Sequence, residues 1–209
     1  MVLSTGDLYA DANSYSTDEA RKKHAFVSEF AQKTEPAMLW DIGCNTGDYS
    51  YTALKAGAHL VIGFENDPSA LERAFHRSRS DHLRFLPLYL DAADPSPAQG
   101  WNQQERMGLA QRRSASAIFA LAVIHHICIG RNVPLPEALS WLVGLAPQGV
   151  IEFVPKRDSM VQELLRLRDD VFPDYNEPVF DATMAKLARM VRSEVITDNG
   201  RRLVWYDRS

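Results

Sequence analysis

Apolar residues run along this chain in two alternating rhythms. Short continuous apolar runs have the pattern of strands buried on both faces. Longer stretches, with apolar positions returning every three or four residues, have the pattern of amphipathic helices. The first helix is predicted over 17–33, with Thr17 and Asp18 as caps, Ala25, Phe26, Val27, Phe30 and Ala31 as its apolar face, and Pro36 beyond its end. A strand over 37–42 follows, then a helix over 48–56 stopped by Gly57, and a second strand over 60–64. Pro68 suits a helix start, and that helix runs to 79. A third strand over 83–90 contains Pro87, which weakens it or marks a bulge. The pattern continues with a strand over 117–123, a helix over 135–145, a strand over 149–154, and helices over 158–169 and 177–190. Near the end, strand-like runs at 194–197 and 201–206 flank Asp198-Asn199-Gly200, and Asn-Gly between such runs signals a hairpin.

Strand–helix alternation of this kind predicts an α/β fold. The expected architecture is doubly wound, with a mostly parallel seven-stranded sheet, helices on both faces and a C-terminal antiparallel hairpin. No repeat or linker divides the chain, so a single domain over 1–209 is expected. Ligands in such sheets bind at the carboxyl ends of the strands, near the point where the strand order reverses.

Composition narrows the functional classes. The 209 residues are 45% hydrophobic and 24% charged, an ordinary globular balance. A formal net charge of −4 argues against bulk nucleic-acid binding, which needs a basic footprint, and leaves a local basic patch open. The apolar stretch over 117–129 contains two histidines and is too short to span a bilayer, so no membrane association is expected. Residues 1–10 show no basic region followed by an apolar core, so no signal peptide is expected. Cys44 and Cys128 form neither a disulfide framework nor a metal-ligand spacing. Cytoplasmic residence without a metal is the resulting expectation.

The candidate chemistry lies at predicted strand ends. Leu39-Trp40-Asp41-Ile42-Gly43-Cys44-Asn45-Thr46-Gly47 is an apolar run that ends in an acid, turns through glycines and enters a helix. Gly43 and Gly47 permit a tight turn and close approach of backbone to a ligand, and Asn45 tolerates a left-handed conformation better than most residues. This loop is not a Gly-x-x-x-x-Gly-Lys-Ser/Thr phosphate cradle, and it lacks the full dinucleotide fingerprint. Asp41 beside a pyrophosphate would repel it, whereas an ammonium or sulfonium suits it. That charge argument favours S-adenosylmethionine (SAM) over a nicotinamide dinucleotide. Gly63-Phe64-Glu65 closes the second strand with a carboxylate that can accept from a ribose diol. Asp91-Ala92 closes the third, where a carboxylate beside an exposed N–H can pair with the edge of adenine.

In order and spacing, 39–47, 61–65, 90–92 and 120–126 resemble the motifs of class I SAM-dependent methyltransferases, covering the core from Leu39 to Ile127. The resemblance implies a Rossmann-like methyltransferase fold and SAM as cofactor, with S-adenosylhomocysteine (SAH) as product. It implies that Asp41 and Gly43 contact the methionine part, Glu65 holds the ribose, and Asp91 with Ala92 reads adenine. Asn45, Gly47, Asn66 and Leu121 are assigned to the cofactor with them. Asn45 departs from the family pattern, which has glycine there.

The reacting end is expected at Ala120-Leu121-Ala122-Val123-Ile124-His125-His126. It lacks the Asn/Asp-Pro-Pro-aromatic tetrad of enzymes that methylate base amines or glutamine amides. It resembles instead the corresponding strand of small-molecule O-, N- and C-methyltransferases. Histidine titrates near neutrality, so His125 or His126 is the candidate base. Arg131, in the loop after the histidines, is expected to line the acceptor pocket. Glu152, an acid in an apolar strand, needs a partner if buried, with Lys156 or an arginine as candidates, or else it meets substrate. Lys156 suits an anionic group on the substrate. The resemblance also implies that 1–36 forms a helical lid segment, in which Tyr9 and Tyr15 close over the donor and Arg21 meets a carboxylate; a solvated basic helix start, carrying Arg21, Lys22 and Lys23, is the equally open alternative. Trp101 with Arg106, Arg112 and Arg113 forms an insertion that suits a negatively charged substrate or carrier, or a solvated helix. Methyl transfer to a small molecule is therefore the leading expectation. RNA or protein methylation, a non-catalytic nucleoside-binding module and a nicotinamide oxidoreductase are the alternatives, and the oligomeric state is open.

Overall fold

The computed structural model of the chain describes residues 16–112, 114–167 and 169–209. Tyr9, Tyr15 and Arg113 therefore lie outside the described residues. Helix α1 (Thr17–Thr34) precedes strand β1 (Leu39–Ile42). Then come α2 (Asp48–Ala56), β2 (Val61–Glu65), α3 (Pro68–Ser80) and β3 (Phe85–Tyr89). After an irregular insertion follow β4 (Ala117–Ala120), α4 (Leu135–Leu145), β5 (Gln148–Phe153), α5 (Ser159–Leu165) and α6 (Glu177–Leu187). The hairpin strands β6 (Arg189–Val195) and β7 (Arg202–Asp207) come last.

The seven strands lie in the order β3-β2-β1-β4-β5-β7-β6. The first five are parallel, and β7 runs antiparallel to both β5 and β6. The chain winds outward from β1 through β2 to β3, then crosses back to place β4 on the other side of β1. The order thus reverses between β1 and β4, and their carboxyl ends open a crevice. Each face of the sheet carries its own apolar core. One packs Phe26, Val27 and Phe30 of α1 with Ala53 and Ala74 against Leu39, Val61 and Phe119. The other packs Leu139, Leu142 and Val143 of α4 with Phe180 and Met184 of α6 against Trp40, Ile118 and Ile151. Burial on both faces is why β4 reads as an unbroken apolar run and why β1 is apolar but for Asp41. Among the described residues no helix is long and apolar enough to cross a membrane.

Several local expectations change. The cap of α1 is Ser16, not Thr17 or Asp18. Its hydroxyl accepts from the Glu19 N–H while the Glu19 carboxylate accepts from the Ser16 N–H, so each side chain satisfies an otherwise orphan backbone donor. Pro87 causes no bulge: β3 is an edge strand, and its register with β2 is unbroken from Phe85 to Tyr89. Strand β4 ends at Ala120, three residues early, because Ala122 adopts a left-handed φ of 51°. The histidines therefore sit in a helical turn that continues as a π-helix over His126–Gly130. Helix α5 stops at Leu165, short of the expected 169. Helix α6 stops at Leu187, and β6 begins at Arg189, not at 194. Pairing with β7, with an irregularity between Met190 and Arg192, overrides helical periodicity there. The insertion forms two short turns, Trp101–Gln103 and Leu109–Gln111, bridged at Gln99 and Arg106, in place of a helix.

Candidate active site

The crevice at the carboxyl ends of β1, β2, β3 and β4 holds a cavity of about 500 Å³, within the ~300–1,000 Å³ of small-molecule sites. Its outer, donor end is built by the turn after β1. The N–H groups of Gly43 and Cys44 donate to the Phe64 carbonyl at 2.8 and 3.0 Å, which pins the turn to β2. Asn45 adopts a left-handed φ of 49°, so it supplies the geometry for which the family pattern uses glycine. Gly47 heads α2 with φ 86°, and a Cβ there would lie 2.5 Å from the Phe85 ring. It shapes the turn from behind and is not part of the cavity wall.

Asp41 lies at the wall and is only 2% exposed. Its Oδ2 accepts a 2.6 Å hydrogen bond from the Ser50 hydroxyl. Burial pushes its pKa up to about 6, against the opposing pull of Ser50 and of the Lys23 ammonium. Glu65 is held by backbone: Oε2 accepts from Asn45 N–H at 2.9 Å, and Oε1 from Asn66 and Asp67 N–H at 2.8 and 2.9 Å. A carboxylate has about four acceptor positions, so Oε2 keeps one toward the cavity. Asp91 accepts from the Ala93 N–H at 3.0 Å and forms an ion pair with Arg131. Ala92, Asn66 and Leu121 also line the cavity. The donor-end residues expected from sequence are thus gathered in one place, with Gly47 behind them.

The inner end is built differently. His125 and His126 both line it, with ring centroids 4.2 Å apart. His125 is 1% exposed, and among the described residues neither of its ring nitrogens has a hydrogen-bond partner. Burial, followed by the neighbouring His126, Arg201 and Lys23, holds its pKa well below the ordinary histidine value. Burial and Arg201 push His126 down to about 4. Both imidazoles are therefore neutral near pH 7, each with one donor and one acceptor nitrogen. Beside them stand Lys23 of α1, Tyr49 of α2, Met160 and Leu164 of α5, and Arg201 from the turn just before β7. Lys23 Nζ lies 2.6 Å from Glu152 and 4.4 Å over the Tyr49 ring. Arg201 makes two bonds to Asp158, at 2.6 and 2.9 Å, and comes within 3.9 Å of Glu152. All four charged side chains are buried. Burial lowers the Lys23 pKa, and Glu152 opposes it.

Two substrate assignments change as a result. Glu152 is fully buried behind the wall as the partner of Lys23 and Arg201, and it does not pair with Lys156. Lys156 lies off the wall, its ammonium 2.7 Å from the Asp170 carboxylate and 2.7 Å from the Phe172 carbonyl. Arg131 does line the cavity, but it is committed to Asp91. Arg21 is exposed and pairs with Asp18 on its own helix. Trp101, 81% exposed, and Arg106 and Arg112 lie off the wall too. Sequence reasoning missed Lys23, Tyr49, Met160, Leu164 and Arg201. A signal existed for one of them: Lys23 falls in the helical stripe of Phe26, Val27 and Phe30, which should have marked it as inward-facing. Among the described residues no cluster suits a metal ion.

Comparison with known proteins agrees with this architecture. No protein-family profile matches the chain. The nodulation protein NoeA of Rhizobium meliloti (strain 1021) is 47% identical over 201 residues, which cover 96% of this chain and 42% of NoeA. The chain thus spans less than half the length of that relative. The magnesium protoporphyrin IX methyltransferase of Synechocystis PCC 6803, solved with bound SAH, superposes with a TM-score of 0.63 at 17% identity, covering 91% of this chain and 84% of that one. The N-methyltransferase NodS of Bradyrhizobium japonicum WM9 superposes with a TM-score of 0.64 at 12% identity, covering 92% and 97%. At such identities the likeness shows the fold.

Proposed function

We propose that this chain, whose fold is that of the class I SAM-dependent methyltransferases, binds SAM in the crevice and transfers its methyl group to a small molecule. The observation that carries the reading is Asp41, a buried carboxylate on the wall of a nucleoside-sized cavity, beside a turn whose backbone can approach a ligand. Burial has raised its pKa, and a bound cation returns what burial removed from the charged form. When bound, SAM supplies an electrophilic methyl on a sulfonium.

The chain's own residues then have separable tasks. Asp41 and the Gly43 turn hold the amino-acid end. Glu65, fixed by three backbone N–H groups, offers its remaining acceptor position to a ribose hydroxyl. Asp91 and Ala92 meet the adenine edge, and Arg131 must share or release Asp91 for that contact. His125 and His126 accept a hydrogen bond from the O–H or N–H of the acceptor, whose proton is lost as the methyl group is transferred. With pKa values held low, they orient the nucleophile more than they deprotonate it. The main contribution to rate is therefore proximity and alignment of acceptor and donor in the crevice. The described residues act as one methyltransferase domain in this reading, with α1 closing the inner end through Lys23. Arg106 and Arg112 lie off the cavity wall, which favours a small acceptor over a nucleic acid.

Calorimetric titration with SAM and SAH, with NAD as control, tests the assignment. Binding of both adenosyl compounds in the micromolar range and none of NAD is expected. Absence of adenosyl binding would overturn it.

A further inference from the structure

The inner end of the cavity carries a charge arrangement that selects among acceptors. Three cations line the cavity among the described residues, and each already faces a carboxylate: Lys23 faces Glu152, Arg201 faces Asp158, and Arg131 faces Asp91. Asp41 and Glu65 add further negative charge on the same wall. An anionic acceptor entering this space would find its potential counter-ions already committed to carboxylates. Like charges brought together in a desolvated site repel one another.

His125, in contrast, is an unmet demand. A neutral imidazole has one donor and one acceptor nitrogen. Both of these nitrogens are buried and lack a partner among the described residues, on a side chain that lines the cavity. A buried polar group left in that state carries an unrecovered desolvation penalty. A ligand with an O–H or N–H can donate to the acceptor nitrogen and accept from the donor nitrogen, whereas an ionised carboxylate can meet only the donor. Met160, Leu164 and Val123 give the same region apolar surface for a carbon skeleton.

We propose that the inner chamber is an acceptor subsite for an uncharged molecule presenting an O–H or N–H to His125, and that the paired network Lys23–Glu152–Arg201–Asp158 excludes anionic acceptors. This rests on the methyltransferase reading and deepens it. His125 touches the acceptor, while the four charged residues determine specificity by cancelling one another.

The test uses the full chain labelled with 13C at histidine Cε1 and saturated with SAH, with the His125 signal assigned through His125→Asn. Phenol, aniline and benzoate are titrated near neutral pH, where only benzoate carries a charge. Phenol or aniline should shift the His125 signal, and benzoate should bind about tenfold or more weakly. The stronger of the two neutral probes indicates oxygen or nitrogen as the preferred acceptor atom. In Glu152→Gln, which leaves Lys23 uncompensated, benzoate should gain affinity relative to phenol. Asp158→Asn tests the same point through Arg201 should the first variant fail to fold. Equal or tighter binding of benzoate by the unaltered protein, or no response to either neutral probe, would overturn the proposal. Absence of SAH binding would instead strike the methyltransferase reading, and the same probes on the cofactor-free chain would still report on the chamber.

Discussion

The two ends of the cavity solve the same problem, charge in a buried place, by different means. At the donor end, Glu65 is held by backbone N–H groups of Asn45, Asn66 and Asp67, and Asp41 by the Ser50 hydroxyl. These partners come from a short stretch of chain, and they leave acceptor capacity for a cationic, hydroxyl-bearing ligand. At the inner end, charge is cancelled by charge. Lys23, Glu152, Asp158 and Arg201 come from α1, β5, the loop before α5 and the turn before β7. The comparison shows that Glu65 and Asp41 keep acceptor capacity because their partners are backbone N–H groups and a hydroxyl, whereas Lys23, Glu152, Arg201 and Asp158 satisfy one another as ion pairs.

The largest effect should come from breaking that silence. Lys23→Met leaves Glu152 buried without its nearest cation, and removal of one partner of a buried pair costs about 3–5 kcal/mol. Denaturant unfolding should show this loss, and a Lys23→Met/Glu152→Leu double variant should recover much of it. A similar loss in both would mean that the Lys23 stem, and not its charge, matters. Next in size is Asp41→Ala, which should weaken SAM binding by about 1–3 kcal/mol or more with little change in the unfolding midpoint. Unchanged affinity in calorimetry would remove Asp41 from the donor site.

A smaller effect concerns pH. The pKa of Asp41 is about 6 in the cofactor-free protein, above its ordinary carboxylate value. A cationic ligand selects the ionised form, so below pH 6 binding must also release a proton. SAM affinity should be flat well above pH 6 and should fall below it by up to about tenfold per pH unit. Asp41→Asn should abolish that dependence, and its persistence in the variant would locate the titration elsewhere. The smallest effect is expected at the cavity mouth. Arg131 is 54% exposed, so its pair with Asp91 is worth about 0–1 kcal/mol. Arg131→Ala should leave the unfolding midpoint nearly unchanged and alter chiefly the rates of SAM association and release. Stopped-flow fluorescence identical to that of the unaltered protein would mean that Arg131 does not gate the adenine end.

By itself the sequence determined the strand–helix alternation and the donor end. Both are local: a strand buried on two faces declares itself as an apolar run, and the acid-turn-helix unit from Asp41 to Gly47 is contiguous. Helices α2 and α4 came out with the expected bounds for the same reason. Tertiary structure alone decided the end of β4 at Ala120, the start of β6 at Arg189 where a helix was expected to run to 190, and the partners of Glu152. Lys23, an apparent member of a solvated basic run, became a wall residue because the stripe it occupies on α1 packs against the sheet. Arg201 joined it only because hairpin pairing carries that residue to Asp158. Such pairings join positions far apart in the chain, and no local periodicity encodes which buried cation meets which buried acid.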